Sequence, residues 1–253
     1  MPSNQLLLKC LACLLGILLC ATRVFASDTR TFVIGVEDYP NFLPYSAYQN
    51  GEYSGLGKDI LDEFARQRGY VFEYRVLPLK RRDHLFVEGK LDFIFPDNPL
   101  WVRELKQSKV VHYAPMLEFV DGTLVLSENV GKGITHIKRL GVPLGFTPVA
   151  YYPFIERGEM KMEEWPDYDS LYQGLIKKRL DAAYMNTRIA SHYWRHQMQQ
   201  PSSPVVADTS LPYIEDYWHL SSIRHPEVIA EFHRFLDENP ELIAAFKKRY
   251  AFD

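Results

Sequence analysis

Hydrophobic positions recur along the chain in two patterns: short apolar runs between turn residues, and longer segments with apolar residues three and four apart. The first pattern is typical of buried strands and the second of amphipathic helices. The predicted strands are 31–36, 71–77, 91–95, 109–113, 119–126, 141–147, 180–184, 205–206 and 214–220. The predicted helices are 59–68, 78–87, 170–178, 187–197, 226–236 and 240–250. This alternation predicts an α/β fold with mostly parallel sheets flanked by helices.

One pattern occurs twice. A helix, a charged turn, Leu-Asp and a hydrophobic strand follow one another at 82–95 and again at 171–184. Two α/β lobes built alike would place the two strand ends, 96–98 and 185–187, on either side of one cleft.

The segment after the strand at 91–95 carries the densest chemistry. Pro96 is expected to end that strand, because proline cannot continue a central ladder. The candidate ligand contacts Asp97, Asn98, Trp101 and Arg103 follow within seven positions. An ordinary strand-to-helix loop with a capping Asp or Asn is an equally open interpretation.

Two further segments are candidates. The loop 37–48 holds Tyr39, Phe42 and Tyr45, which either cover a sheet edge or form a stacking wall for a ligand. Arg81 lies with two other cations at the start of a helix, where the helix dipole favours anions. These cations either bind an anionic ligand or form a solvated face.

Residues 1–26 read as a cleavable secretory signal, and its Cys20 leaves a lipid anchor open. All three cysteines lie in this segment, so no disulfide is expected in the exported chain. The formal charge is −3, and −5 without Lys9 and Arg23. This balance argues against nucleic acid as a partner. We expect no cofactor and no metal, since His192 and His196 lack an evident third ligand.

In the order and spacing of its segments, the chain resembles the family 3 extracellular solute-binding proteins, which have the type II periplasmic binding fold. The segments that carry this resemblance are IGVEDYP, YSGLGKDILDEFARQRG, HLFVEGKLDFIF, GVPLGF and LYQGLIKKRLDAAYMNT. The resemblance implies one lobe from 27–118 with 213–253 and a second lobe from 119–212. It also implies two crossing strands as a hinge, near 119–124 and 212–218.

The resemblance also assigns roles. Arg103 corresponds to the arginine that grips a ligand carboxylate, and Tyr39, Phe42 and Tyr45 fall where the stacking ring lies. Thr147 occupies the turn of the second lobe that offers hydrogen-bond donors, and Tyr151 is a further candidate nearby. Asn186 stands where amino-acid binders carry a carboxylate for the ligand ammonium, so Asp97 would supply that charge for a cationic ligand.

The function implied is that of an exported, monomeric periplasmic protein that binds a small polar or charged molecule for an ABC transporter permease or a sensor. A dehydratase-like enzyme on the same fold is one alternative, with Asp97, Glu37 and Asp38 as candidate acids or bases. A sensory subunit without a transport role is the other.

Overall fold

The computed structural model describes residues 30–196 and 203–252. The predicted signal, Cys20 and the side chain of His196 lie outside the described part of the chain. Within that part, no helix is long and apolar enough to cross a bilayer. No group of three potential metal-ligating side chains comes together among the same residues.

The described residues form eleven strands and eight α-helices. The strands are β1 (Thr31–Glu37), β2 (Ala47–Gln49), β3 (Glu52–Ser54), β4 (Val71–Leu77), β5 (Phe93–Asp97), β6 (His112–Leu126), β7 (Arg139–Pro143), β8 (Lys161–Trp165), β9 (Ala182–Asn186), β10 (Val205–Ala207) and β11 (Ile214–Ser222). The helices are α1 (Leu56–Arg68), α2 (Leu79–Val87), α3 (Arg103–Lys106), α4 (Tyr152–Glu156), α5 (Tyr168–Ile176), α6 (Thr187–His196), α7 (Pro226–Glu238) and α8 (Pro240–Arg249).

Nine of the described strands form one sheet in the order β4-β1-β5-β11-β6-β9-β7-β8, with β10 paired to β6. β4, β1 and β5 run parallel, and so do β9, β7 and β8. We call the parts built on these two sets of strands the first and second lobes. The predicted α/β class is confirmed. The predicted lobe bounds remain a prediction, because Thr31–Asp253 form one compact unit.

The antiparallel pair β6 and β11 joins the two sets of parallel strands. Both crossing strands are longer than predicted, and β6 runs unbroken where the sequence predicts two strands, 109–113 and 119–126. Pro115 lies inside β6, next to a shift in the register between β6 and β11. Such an irregularity leaves a residue out of the regular ladder, so a proline is tolerated there.

The structure also corrects the predicted end of β5, for the same reason as in β6. The strand continues through Pro96 to Asp97. Its register against β11 shifts between the pairs Asp97–His219 and Ile94–Ser221. Proline lacks the backbone N–H that a regular ladder requires, and the shifted register removes that requirement. Asp97 is therefore the last residue of a buried strand and not part of a solvated loop.

Helix α1 illustrates how the pattern builds a layer. Its apolar residues Ile60, Leu61 and Phe64 are buried against the sheet, and Gly69 ends it with a left-handed backbone, φ 71°. Glycine adopts this conformation without the strain that a Cβ would cause, so Gly69 is a favourable C-cap. Strand β8 was not predicted, because KMEEW is a polar edge strand with no hydrophobic run.

Candidate functional site

A small cavity lies where the ends of β1 and β5 face the turn after β7. Its free volume is about 30 Å³, enough for roughly one or two water molecules. Side chains of both lobes and of one crossing strand surround it. They are Glu37, Tyr39, Phe42, Leu79, Arg82, Asp83, Pro96, Trp101, Gly145, Phe146, Thr147 and Trp218.

Five of the twelve lining residues are aromatic, and several of their rings pack on one another. The Phe42 ring lies parallel to Trp218, with centroids 5.5 Å apart and 10° between the planes. Tyr39 stacks on Phe42 at 4.8 Å, and Tyr168 of the second lobe meets Phe42 edge-on at 5.6 Å. Ring faces of this kind bind flat or aliphatic groups and attract cations.

The two lobes touch across this cavity. The Tyr39 hydroxyl donates to the Leu144 carbonyl over 2.9 Å, and Lys80 Nζ lies 2.9 Å from the Glu164 carboxylate. Gly145 has a left-handed backbone, φ +83°, and a Cβ there would lie 3.1 Å from the Cβ of Leu79. A larger residue at this turn would therefore strain the backbone and crowd Leu79 of the first lobe.

Glu37 is the last residue of β1, and its carboxylate is buried in the cavity wall, with the residue 1% exposed. Its Oε1 accepts hydrogen bonds from the Ser46 hydroxyl and, over 3.4 Å, from the Tyr53 hydroxyl. Its Oε2 has no hydrogen-bond partner among the described residues. Burial raises the pKa of Glu37 above its usual value, and the hydrogen bond from Ser46 and the charge of Arg82 offset only part of that effect.

Arg82, in α2, is the buried cation of the same wall, 1% exposed. Its Nε and Nη2 donate to Asp83 Oδ1 over 3.0 and 2.8 Å. Nη1 has no acceptor in the described part of the chain. The stem of Arg82 lies against Gly35 of β1, where a Cβ would approach Arg82 Cγ to 3.1 Å. The absence of a side chain at Gly35 thus lets the guanidinium lie beside the strand that carries Glu37.

A second ion pair lies next to this wall. Lys106 Nζ is 2.5 Å from Asp97 Oδ1, and both side chains are almost fully buried. Burial raises the pKa of Asp97, and the charge of Lys106 lowers it in part. Asp97 therefore already has a cationic partner, which Glu37 lacks among the described residues.

A wider polar chamber of about 600 Å³ adjoins the cavity at Thr147. It is lined by residues of both lobes: His84, Leu100, Val102, Arg103, Glu104, Leu105, Thr147, Tyr152 and Glu156. We call it the outer chamber. Its lining is more polar than that of the aromatic cavity, so it is a natural entrance for a charged ligand.

Solved structures with the same architecture identify the fold. The arginine-, lysine-, histidine-binding protein ArtJ of Geobacillus stearothermophilus matches with a TM-score of 0.70 and 15% identity, over 88% of this chain and 96% of ArtJ. The GluR0 ligand-binding core in complex with L-glutamate matches with a TM-score of 0.68 and 17% identity, over 88% of this chain and 99% of that one.

The ancestral amino-acid-binding protein AncCDT-1, a precursor of cyclohexadienyl dehydratase, also matches, with a TM-score of 0.65 and 18% identity, over 87% of this chain and 95% of that one. The chain has the type II periplasmic binding protein fold. No protein-family model matches the sequence, and no curated protein does.

In this type II binding-protein fold, four of the predicted ligand contacts lie together at the aromatic cavity between the lobes. They are Tyr39, Phe42, Trp101 and Thr147. The two predicted arginines do not line it. Arg81 is exposed on α2, and Arg103 is exposed at the outer chamber. Arg82, the neighbour of Arg81, is the arginine at the cavity.

Asn98 and Asn186 are two of the predicted ligand contacts. Both are buried, and their side chains form hydrogen bonds with nearby backbone groups. Asn98 donates to Asp216 and to the Tyr217 carbonyl and accepts from the Leu100 amide. Asn186 Oδ1 accepts from the first amides of α6. The Asn98 amide group thus has structural partners, which is the capping interpretation that the sequence left open for the loop after β5, whereas Asn186 Nδ2 has no partner among the described residues.

The remaining two candidates are buried tyrosines whose hydroxyls are engaged. The Tyr45 hydroxyl donates to the Glu118 carbonyl, and its ring packs on Trp218 at 4.0 Å. The Tyr151 hydroxyl bonds to the Thr123 hydroxyl over 2.6 Å in the core of the second lobe. Tyr45 thus supports the aromatic wall from behind, and Tyr151 stabilises the second lobe.

Sequence reasoning did not give a binding role to Glu37 or Trp218. A signal for Glu37 exists, because it ends a hydrophobic strand and the carboxyl ends of parallel strands bind ligands. The same rule predicts the candidate contacts after β5. Trp218 has no such signal, since only the pairing of β11 with β6 and β5 brings its ring to the cavity.

Proposed function

We propose that this protein binds a small molecule with a cationic nitrogen between its two lobes and does no chemistry on it. The observation that carries the proposal is the pair Glu37 and Arg82, each buried at the cavity with one polar atom that has no partner among the described residues. Buried polar atoms normally have partners, so free ones in a cleft are expected to meet a ligand.

The local charge balance favours a cation. Three buried acids surround the cavity, Glu37, Asp83 and Asp97, against the two buried cations Arg82 and Lys106. Asp83 pairs with Arg82 and Asp97 with Lys106, which leaves the Glu37 carboxylate as the excess acid. A ligand ammonium at Glu37 balances it, and Arg82 Nη1 is free to donate to a ligand carboxylate or carbonyl.

The expected setting is the cell envelope. The cleavable signal predicted at residues 1–26, together with the likeness to amino-acid-binding proteins, supports an exported protein that delivers its ligand to an ABC transporter or a sensor. The similar structures bind arginine, lysine, histidine or L-glutamate, so they support an amino-acid-like ligand without choosing one.

Binding without catalysis is the better supported role. Of the three candidate acids or bases, only Glu37 lines the cavity. Asp97 lies in an ion pair, and Asp38 is half-buried outside the cavity lining. AncCDT-1 itself is described as an amino-acid-binding protein, and the dehydratase is the enzyme that it preceded.

A thermal-shift panel tests the proposal. Amines, amino acids and organic acids of matched size are added to the purified protein, and melting temperatures are compared. A ligand at 100 times its dissociation constant adds about 2.7 kcal/mol to the free energy of unfolding, which is readily seen. We expect stabilisation by compounds with a cationic nitrogen and not by the matched acids.

Glu37→Gln should weaken binding by about 10-fold or more, because it removes a charged hydrogen bond and keeps the shape. Asp38→Asn is the matched control and should bind normally. Stabilisation by acids alone, or equal binding by Glu37→Gln and the wild type, would remove Glu37 from the ligand site.

A further inference from the structure

A second buried acid without a cationic partner lies in the crossing strand β6. Asp121 is 3% exposed and is paired across the sheet with Asn186 of β9 and Ile214 of β11. Residues directly opposite each other on neighbouring strands project to the same face. The Asp121 carboxylate therefore lies beside the Asn186 amide, at the level where the lobes are joined.

The charge of Asp121 is not compensated. Its Oδ1 has no hydrogen-bond partner, and it forms no ion pair with the described residues. Burial raises the pKa of Asp121 well above its usual value, and the Asn186 amide offsets only part of the effect. An isolated acid in such a place destabilises the fold, which is typical of groups kept for a function.

Three other polar groups near Asp121 also lack a hydrogen-bond partner in the described part of the chain. The hydroxyls of Tyr168 and Tyr184 and the Nδ2 of Asn186 also have no partner among the described residues. Tyr184 lies two residues before Asn186 on β9 and so projects to the same face of the sheet, and the charge of Asp121 contributes to the raised pKa of both tyrosines. One acceptor and three donors are thus buried here without a hydrogen-bond partner among the described residues, although the Asn186 amide is near enough to lower the pKa of Asp121 in part.

A single layer of rings separates this group from the aromatic cavity. Tyr168 packs on Phe42 at 5.6 Å, and Tyr184 packs on Phe146 at 6.1 Å. Phe42 and Phe146 both line the cavity. Phe42 belongs to the first lobe and Tyr168 to the second, so separation of the lobes also separates these two rings and uncovers the way to Asp121.

We propose that Asp121 is a second cation-binding carboxylate of the same ligand site, and that the ligand carries two separated cationic nitrogens, as a diamine or a diamino acid does. This inference rests on the proposed function. Glu37 binds one nitrogen at the end of β1, and Asp121 binds the other behind the ring layer. Tyr168 and Tyr184 complete the second position with their hydroxyl groups.

Matched pairs of compounds test the inference. Linear diamines of three to six carbons are compared with the monoamines of equal length, and L-lysine is compared with L-norleucine, by calorimetric titration. We expect the wild type to prefer the doubly charged member of a pair by about 10-fold or more, the effect of one charged hydrogen bond. If L-lysine binds more tightly than the diamines, we infer that its carboxylate also contacts Arg82.

Asp121→Asn should lose this preference while its unliganded melting temperature stays the same or rises, because an uncompensated acid is replaced by an amide. Asp208→Asn is the matched control, since Asp208 is a buried acid of the second lobe with its own partners at Gly131 and Ser210. The double variant Asp121→Asn with Asn186→Asp moves the charge across the strand pair and should restore the preference.

The outcomes separate the two proposals. Equal binding of monoamines and diamines by the wild type, or an unchanged preference in Asp121→Asn, overturns the inference and leaves the proposed function standing. Loss of both preference and stability in Asp121→Asn, without rescue by the double variant, assigns Asp121 a structural role. If no amine binds the wild type, both proposals fail.

Discussion

At the scale of single residues, the site is defined by which charged groups have partners inside the protein. Arg82 and Asp83 form a buried pair, whereas Arg81 next to them is exposed. Removing one member of a buried pair leaves the other as an uncompensated charge, which costs far more than losing an exposed cation. Arg81 and Arg82 are adjacent cations at the start of one helix, yet only Arg82 is part of a buried ion pair.

Arg82→Met should lower the free energy of unfolding by about 3 to 5 kcal/mol, because Asp83 is then buried without its cation. Arg81→Met, the matched control one position away, should change it by about 0.5 kcal/mol or less. Urea unfolding of both variants at neutral pH measures the difference. Equal effects would mean that Arg82 is solvated in solution.

At the scale of elements, the strand ends place acids in apolar surroundings. The carboxyl end of β1 carries Glu37 into the cavity wall, and the register of β6 against β9 places Asp121 beside Asn186. Helix α2 supplies the nearest cation, Arg82, whose charge offsets the burial of Glu37 only in part. The sheet thus holds these carboxyl groups where their ionised forms are disfavoured.

This placement predicts how stability depends on pH. The pKa of Glu37 is raised in the folded protein, and in the unfolded chain it is about 4.3. Between these two values the folded protein keeps a proton that the unfolded chain has lost. Unfolding then releases a proton, so the contribution of Glu37 to stability is present below the unfolded pKa and is lost as pH rises through the folded pKa.

Glu37→Gln cannot ionise, so its melting temperature relative to the wild type should increase from about pH 4 toward pH 8. Thermal unfolding of both proteins across this range, without ligand, measures the difference. Glu63→Gln is the control, because the hydrogen bond from Arg66 lowers the pKa of Glu63 to about 2, so its difference from the wild type should stay constant above about pH 5 and change with the opposite sign only below it. A constant difference between Glu37→Gln and the wild type would mean that Glu37 is not desolvated.

At the scale of the whole molecule, the lobes are in contact around a cavity too small for an amine or an amino acid. The contacts from Tyr39 to Leu144 and from Lys80 to Glu164 hold this closed arrangement. We expect the lobes to separate when a ligand enters, because rings of both lobes occupy the space between them. We therefore expect binding to be coupled to an opening of the lobes about the crossing strands β6 and β11.

Ligand association should accordingly level off at high ligand concentration, at the rate of lobe opening. Stopped-flow tryptophan fluorescence can follow it, since Trp101 and Trp218 line the cavity. The ligand to use is the amine that gives the largest thermal shift. A rate that rises linearly over the whole concentration range would mean that the unliganded protein is already open.

The sequence by itself determined the α/β class and the order of most elements, though not strand β8 or the continuity of β6. Apolar runs and helical spacing depend on neighbours along the chain, and these are visible in sequence. The repeat at 82–95 and 171–184 gave the two similar halves, and the aromatic loop gave Tyr39 and Phe42 at the cavity. The resemblance to solute-binding proteins agrees with the fold seen in the similar structures.

Only the tertiary structure decided which charges are free. Asp97 and Lys106 lie nine residues apart, and their pairing depends on how α3 packs on β5. The shifted registers at Pro96 and Pro115 arise from pairing with β11, far along the chain, so local rules for proline misjudge both strands. A carboxylate becomes a candidate ligand contact when burial removes water and no cation replaces it, and both conditions depend on residues distant in sequence.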